Sequence, residues 1–285
     1  MSDILSGLGD LGLGKLEGMS VLGDAKGSGR EAPAQIAENA AEDMRAKEAA
    51  CLFDKEYTCP VCDIKFKSKT VRTGKVRKIG ADEDLRPLFT PIDATKYEPV
   101  VCPRCGYAAF PKTFAYVTDF QRGEIEKNIS ANYKPIKENG DVYDYETALK
   151  RFQMALANAI VMQKKTSDRA YICLKMAWIV RGYREELEKQ TGDAAKARLD
   201  ELVKSGSEKE YLQTAYDGFV KARESEHFPI CDMDESAFDY LLAALSMELG
   251  YLDVAAKMIA GLLVSRSANS RIKDKARDMK ERLLA

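Results

Sequence analysis

The sequence predicts an α+β protein, a small β ribbon closed by a four-cysteine metal site and followed by an all-α array of packed helix pairs. Three observations carry that expectation. Two Cys-x-x-Cys knuckles, Cys59-Pro60-Val61-Cys62 and Cys102-Pro103-Arg104-Cys105, hold four of the seven cysteines. A small-large-small pattern at helical spacing recurs in the second half, at Ala148/Phe152/Ala155, Ala215/Phe219/Ala222 and Ala255/Ile259/Leu262. Charge is also partitioned by segment: residues 1–56 carry 6 basic and 11 acidic side chains, residues 57–117 carry 11 and 6, and residues 144–285 carry 23 of each.

Residues 1–32 mix eight glycines with scattered leucines. Each interior glycine costs a helix about 1 kcal/mol relative to alanine, so this leader is expected to be disordered. Pro33 opens a weak alanine- and glutamate-rich helix expected over 33–56, with proline suited to the first turn. Residues 57–117 form the ribbon. After Cys62, Ile64 and Phe66 alternate with Lys65, Lys67 and Lys69, the period of a half-buried strand. A polar loop containing Pro87 and Pro91 is expected to lead to a second short strand, Tyr97–Val101. Gly106 follows the second knuckle, where a left-handed residue lets backbone N–H groups turn toward sulfur; the first knuckle has Asp63 there.

Thr118-Asp119-Phe120-Gln121 reads as a capping box that starts a short helix to about Ser130, and the rest of 118–143 as a linker. Helices are then expected from Asp144 to the end, including Ser167–Gln190 around Trp178, Ala194–Lys204, a helix capped at Ser207 by a box with Glu210, and Met233–Leu249. Residues four and seven apart share a helix face, so each small-large-small triplet lets a partner helix approach and fills the gap behind it. Stacked antiparallel pairs of tetratricopeptide-like type bury such faces, with irregular spacing between Ala148 and Ala215.

Two knuckles brought face to face supply a tetrahedron of thiolates, so Cys59, Cys62, Cys102 and Cys105 are the expected metal ligands and Zn²⁺ the expected ion. Iron in a rubredoxin-like site is the alternative and would make the protein an electron carrier. A thiol–disulfide role needs a thiolate activated at a helix N-terminus, which neither knuckle opens. Four protein ligands leave no open position for substrate, and the single histidine, His227, has no partner motif, so no enzyme is expected.

Lys65, Lys67, Lys69, Arg72, Lys75, Arg77 and Lys78 form the one dense basic run, a candidate contact for nucleic acid or another anion. The competing reading is that these cations balance the negative thiolate–metal centre. Cys231 lies beside Asp232, Asp234 and Glu235, acids expected to cap the next helix; Cys173 reads as core and Cys51 as a lone partly buried thiol rather than a reserve for the metal site. Trp178, Tyr183, Tyr211 and Tyr216 read as helix-packing residues.

With these residues placed, the chain resembles a bacterial family catalogued as domain of unknown function 2225. Tyr57 to Cys62, Phe66 to Arg77, and Val101 to Phe110 resemble its metal-binding half. Ala148 to Ala155, Leu174-Lys175-Met176-Ala177-Trp178 and Leu249-Gly250 resemble its helical half. The likeness covers about residues 57–285, and Asp63 departs from the glycine that commonly follows the first knuckle. It implies a zinc-ribbon or rubredoxin-like knuckle pair joined to tetratricopeptide-like helices.

The expected function is a non-catalytic interaction or scaffold protein whose helical array binds a protein or peptide. A nucleic-acid-binding ribbon and an iron electron carrier are the alternatives. Knuckles in a chain with no apolar run of about 18 residues and no export-type N-terminus argue for a reducing, cytoplasmic setting without membrane attachment.

Overall fold

The computed structural model describes residues 33–138 and 140–284, with side chains from Glu42 onward. The leader expected over 1–32 lies outside the described residues. From Ala46 onward, ribbon and helices belong to one compact unit.

The fold is α+β, with small antiparallel strand pairs around the cysteines and helices thereafter. Helix α1 runs Pro33–Ala50 and stops there. Residues 52–56, expected to prolong it, instead enter strand β1 (Leu52–Thr58) because they pair in register with β2 (Lys65–Val71), from Leu52 opposite Val71 to Thr58 opposite Lys65. A seven-residue ladder outweighs the helix propensity of Asp54-Lys55-Glu56. Strand β3 (Arg77–Ala81) pairs with β4 (Pro87–Thr90), and β5 (Val100–Val101) with β6 (Ala108–Ala109). The polar loop around Pro87 is therefore a hairpin arm, with Pro87 as its first residue, a place that tolerates a missing N–H. The strand expected over Tyr97–Val101 is shorter, since Ala94–Tyr97 forms a 3₁₀ turn capped by Asp93, whose carboxylate accepts from the Thr95 N–H at 2.9 Å.

Helix α2 (Asp119–Ile125) begins with the expected capping box and continues as a π-helical turn, Glu126–Ser130. The described residues of the segment expected to be a linker carry no helix or strand, yet they are tied down. Tyr143 stacks on Tyr97 with centroids 5.1 Å apart, and Glu138 pairs with Arg151. The helical body follows as α3 (Tyr145–Val161), α4 (Thr166–Lys189), α5 (Asp193–Ser205), α6 (Ser207–Ser225), α7 (Glu235–Leu249), α8 (Leu252–Val264) and α9 (Ser270–Leu284).

Helix α3 packs on α4, α4 on α6, α6 on α7, α7 on α8 and α8 on α9. All nine residues of the three small-large-small triplets are buried, on α3, α6 and α8. The short helix α5, which buries none of its residues, is inserted between α4 and α6 and accounts for the long spacing from Ala148 to Ala215. The box expected at Ser207 does not form. Gly206, at φ +64°, both closes α5 and opens α6, leaving no extended residue for a serine cap. Asp144 and Asp234 do cap α3 and α7, accepting from Thr147 and Ala237 N–H groups.

Candidate metal centre

Each knuckle is a tight turn closed by its own backbone. The Cys59 N–H donates to Ile64 O (2.9 Å) and the Asp63 N–H to Cys59 O (3.0 Å). In the second, Cys102 N–H donates to Tyr107 O (2.8 Å) and Gly106 N–H to Cys102 O (3.1 Å). Both turns need a left-handed residue after the second cysteine, and Asp63 (φ +60°) adopts it as Gly106 (φ +74°) does. Val61 N–H points at Cys59 Sγ from 3.4 Å.

The turns face each other. Cys59 Sγ lies 3.5 Å from Cys105 Sγ and Cys62 Sγ 3.6 Å from Cys102 Sγ, with all four sulfurs within 4.8 Å of one another. A tetrahedral ion with sulfur bonds of about 2.3 Å requires sulfurs about 3.8 Å apart. A disulfide would need about 2.05 Å, and all seven cysteines are free thiols. The donor set fits a metal ion: four soft sulfurs, three of them buried, with no other candidate ligand grouped with them among the described residues.

The sulfurs share protons as one group. Hydrogen bonding among the sulfurs holds Cys102 well below the ordinary thiol range and, with burial, pushes Cys59 up to about 12 and raises Cys105. One thiolate suppresses ionisation of Cys59 and Cys105, because buried negative charges in contact repel. A divalent cation removes that obstacle and lets all four ionise.

The second knuckle is embedded. Ser130 Oγ, ending the π-helical turn, donates to Cys105 O (2.9 Å), and Asn158 Nδ2 of α3 donates to Gly106 O (2.9 Å). The Tyr133 ring covers Gly106 so closely that an added Cβ would stand 2.5 Å from ring carbon Cδ2. The first knuckle is held from one side by Tyr57, Phe66 and Phe114, rings 5.5–6.1 Å apart, and leaves Asp63 exposed and Cys62 half-buried.

The basic run does not form one face. Lys69 pairs with Asp54 at 2.9 Å, and Lys67 lies opposite Glu56 in the ladder. Arg72 donates to Leu52 O at 2.7 Å and lies over Phe53. Lys65, Lys75, Arg77 and Lys78 are exposed. Cys51 is buried with Leu52, Ile92, Tyr97 and Tyr143, apart from the metal centre. Cys173 is core, and Cys231 gives its S–H to Ser167 O at 3.4 Å. Burial pushes these two thiols up to about 11 and about 12. Of the acids beside Cys231, Asp234 is the cap, whereas Asp232 pairs with Lys112 and Glu235 with Arg223. His227 is exposed; Trp178 is buried in the helical core, and Tyr183, Tyr211 and Tyr216 pack against cores.

The sequence reading missed the supports of the centre, Ser130, Tyr133 and Asn158. Asn158 had a signal, as a polar residue within the buried stripe of α3. It also missed the β3–β4 turn. Asp84 is buried there and accepts from Trp178 Nε1 (2.8 Å) and Arg181 (2.9 Å), while Arg181 reaches Glu208 (2.7 Å) and Glu248 (2.6 Å). Burial opposes the Arg181 charge, but these carboxylates outweigh it and hold the guanidinium above its ordinary value. Leu85 fills the junction between two helical cores, and Glu83 pairs with Arg282. A single turn thus ties the ribbon to α4, α6, α7 and α9.

Fold and site together define the class: a two-knuckle, four-cysteine ribbon carried on an array of helix pairs, with a cluster that can hold a metal. The chain belongs to the bacterial family described as "Uncharacterized protein conserved in bacteria (DUF2225)", whose model matches residues 52–283. No curated protein and no solved structure matches it. Among the described residues no helix is long and apolar enough to cross a membrane.

Proposed function

We propose that this protein is a non-catalytic interaction protein of the bacterial cytoplasm, in which a structural Zn²⁺ sets the ribbon and the helical array receives a protein or peptide. The closed donor set carries the reading. Four sulfurs complete a tetrahedron, leaving no position for substrate or an activated water. The three separate two-stranded sheets among the described residues are too small to be stable alone, so an ion that supplies about 10–16 kcal/mol of binding energy acts on folding.

The receiving surface is a groove of about 390 Å³ between α4, α5, α6 and α7, walled by Val180, Leu202, Val203, Leu212 and Leu249. Its acids Glu208 and Glu248 are occupied by Arg181, and Arg184 is occupied by Glu188, which leaves the Lys209 charge at the rim. Such a groove suits an apolar side chain flanked by an acid.

Elemental analysis of the purified chain is expected to give one zinc per chain and no colour; a red protein with a thiolate-to-iron band would make it an electron carrier instead. Displayed peptides selected on the metal-loaded protein should carry an apolar anchor beside Asp or Glu and lose binding to Val203→Asp. Failure to select any, or selection indifferent to Val203→Asp, would sink the groove reading.

A further inference from the structure

The fold divides the basic run into two parts of different character. Lys67 and Lys69 face Glu56 and Asp54 across the β1–β2 ladder, so that part is neutralised within its own hairpin. Lys75, Arg77 and Lys78 occupy the following turn and β3, whose partner β4 carries no charge; Arg77 stands opposite Thr90 and Lys78 opposite Phe89.

Helix α9 adds to the second part from far along the chain. Lys275 lies over the Tyr240 ring, 5.2 Å from its centroid, beside a recess of about 170 Å³ that Ala81 of β3 also lines. Arg271 is one helical turn before it on the same face. Burial, then Arg271, then Lys78 depress the Lys275 ammonium, while Glu83 opposes them. Of the acids at this edge, Glu83 is taken by Arg282, Asp82 by Arg86 and Asp274 by Arg277, which leaves Asp278 among the described residues. Bringing Lys78 toward Arg271 and Lys275, with Lys75 and Arg77 next to Lys78 in the chain, works against the folded chain in isolation, and a polyanion relieves that repulsion.

We infer that Lys78, Arg271 and Lys275, together with Lys75 and Arg77 adjoining Lys78 in β3 and the turn before it, bind the phosphate backbone of a nucleic acid. The inference uses residues distinct from the groove and stands whether or not the groove binds a peptide. Contact is with phosphate rather than base, because neither β3 nor α9 exposes an aromatic ring on which a base would stack. A membrane surface fits less well, since Ile79 is the one large apolar side chain exposed on β3.

The test is fluorescence anisotropy of a labelled single-stranded 20-mer (roughly the length that offers several phosphate contacts) and its duplex with the metal-loaded full chain, at about 50 and about 200 mM salt. Binding should weaken steeply with salt. Arg77→Glu with Lys78→Glu, and separately Lys275→Gln, should each lower affinity about tenfold or more and reduce the salt slope by about 1 for every phosphate no longer neutralised. Lys67→Gln and Lys69→Gln should stay within about twofold, their charges being already compensated. Circular dichroism checks that each variant is folded; should Lys275→Gln unfold, the β3 pair decides. No binding at the lower salt, equal losses for the Lys67 and Lys69 variants, or binding to phosphatidylserine vesicles without binding to nucleic acid would each overturn the inference.

Discussion

The two knuckles have one backbone and two different surroundings. Both close with the same pair of N–H to carbonyl bonds, both put a left-handed residue after the second cysteine, and each gives one sulfur to each close cross-pair. The second is enclosed by Ser130, Tyr133 and Asn158, whereas the first leaves Cys62 half-buried and Asp63 in solvent. A metal turn is thus specified locally, while its rigidity comes from what packs on it. The first knuckle tolerates an aspartate where a side chain has open solvent, and the second requires glycine because a ring occupies the space a Cβ would need.

The largest effect should come from losing the ion. Chelation, or Cys102→Ser, is expected to unfold the ribbon, read as loss of the near-ultraviolet signal of Tyr57, Tyr107 and Phe114, because Cys102 is fully enclosed. Cys62→Ser should keep the ribbon folded with weaker metal retention, since water can reach the fourth position from the half-exposed side. Equal damage from both would erase the asymmetry. Acid should act in the same direction. With Cys59 pushed up to about 12, metal binding must expel protons, so retention of the ion falls as pH falls and rises as pH rises. A zinc-release titration checks that sign.

Next in size is Gly106→Ala. A left-handed alanine costs about 1–2 kcal/mol and forcing the Tyr133 ring aside about 1–3 more, so a loss of about 2–5 kcal/mol is expected in urea unfolding. Asn158→Ala should cost about 1–3 kcal/mol, because it leaves the buried Gly106 carbonyl without its donor. Losses below about 0.5 kcal/mol for either would mean that the second knuckle is not stiffened by its surroundings.

What the sequence disclosed follows the same division between local and distant causes. The Cys-x-x-Cys turns and the Thr118 capping box each depend on residues within a few positions and are found where expected, and of the three acids expected to cap α7 Asp234 is the one that does. The buried triplets on α3, α6 and α8 were legible because helical spacing reports a face. The β3–β4 hairpin was not, since Pro87 and Pro91 read as loop and only pairing with β3 makes Pro87–Thr90 a strand. Asp84 looked like one acid among three in a polar turn, and nothing near it in sequence announces Trp178 and Arg181, which bury it. The box at Ser207 did not form because Gly206, left-handed at φ +64°, joins two helices in one residue and leaves no extended position for a serine cap. Likewise the basic run looked uniform until β1 was seen to neutralise Lys67 and Lys69 but not Arg77 and Lys78.

The smallest expected effect has the opposite sign. Asp63 holds φ +60°, a region that L-residues enter at a cost and glycine enters freely, and its side chain is exposed. Asp63→Gly therefore removes local strain of about 1 kcal/mol. Against that, a glycine loses more freedom on folding than aspartate does, a penalty of roughly 0.5–1 kcal/mol. The net change should fall between zero and a gain of about 0.5 kcal/mol, seen as an unchanged or slightly higher urea midpoint for the metal-loaded protein. Set beside Gly106→Ala, the pair isolates the contribution of surroundings, because the backbone conformation at the two positions is nearly the same. If Asp63→Gly instead destabilised by more than about 1 kcal/mol, the Asp63 carboxylate would have to be holding the first knuckle through an interaction of its own, and the contrast between the two turns would lose its physical basis.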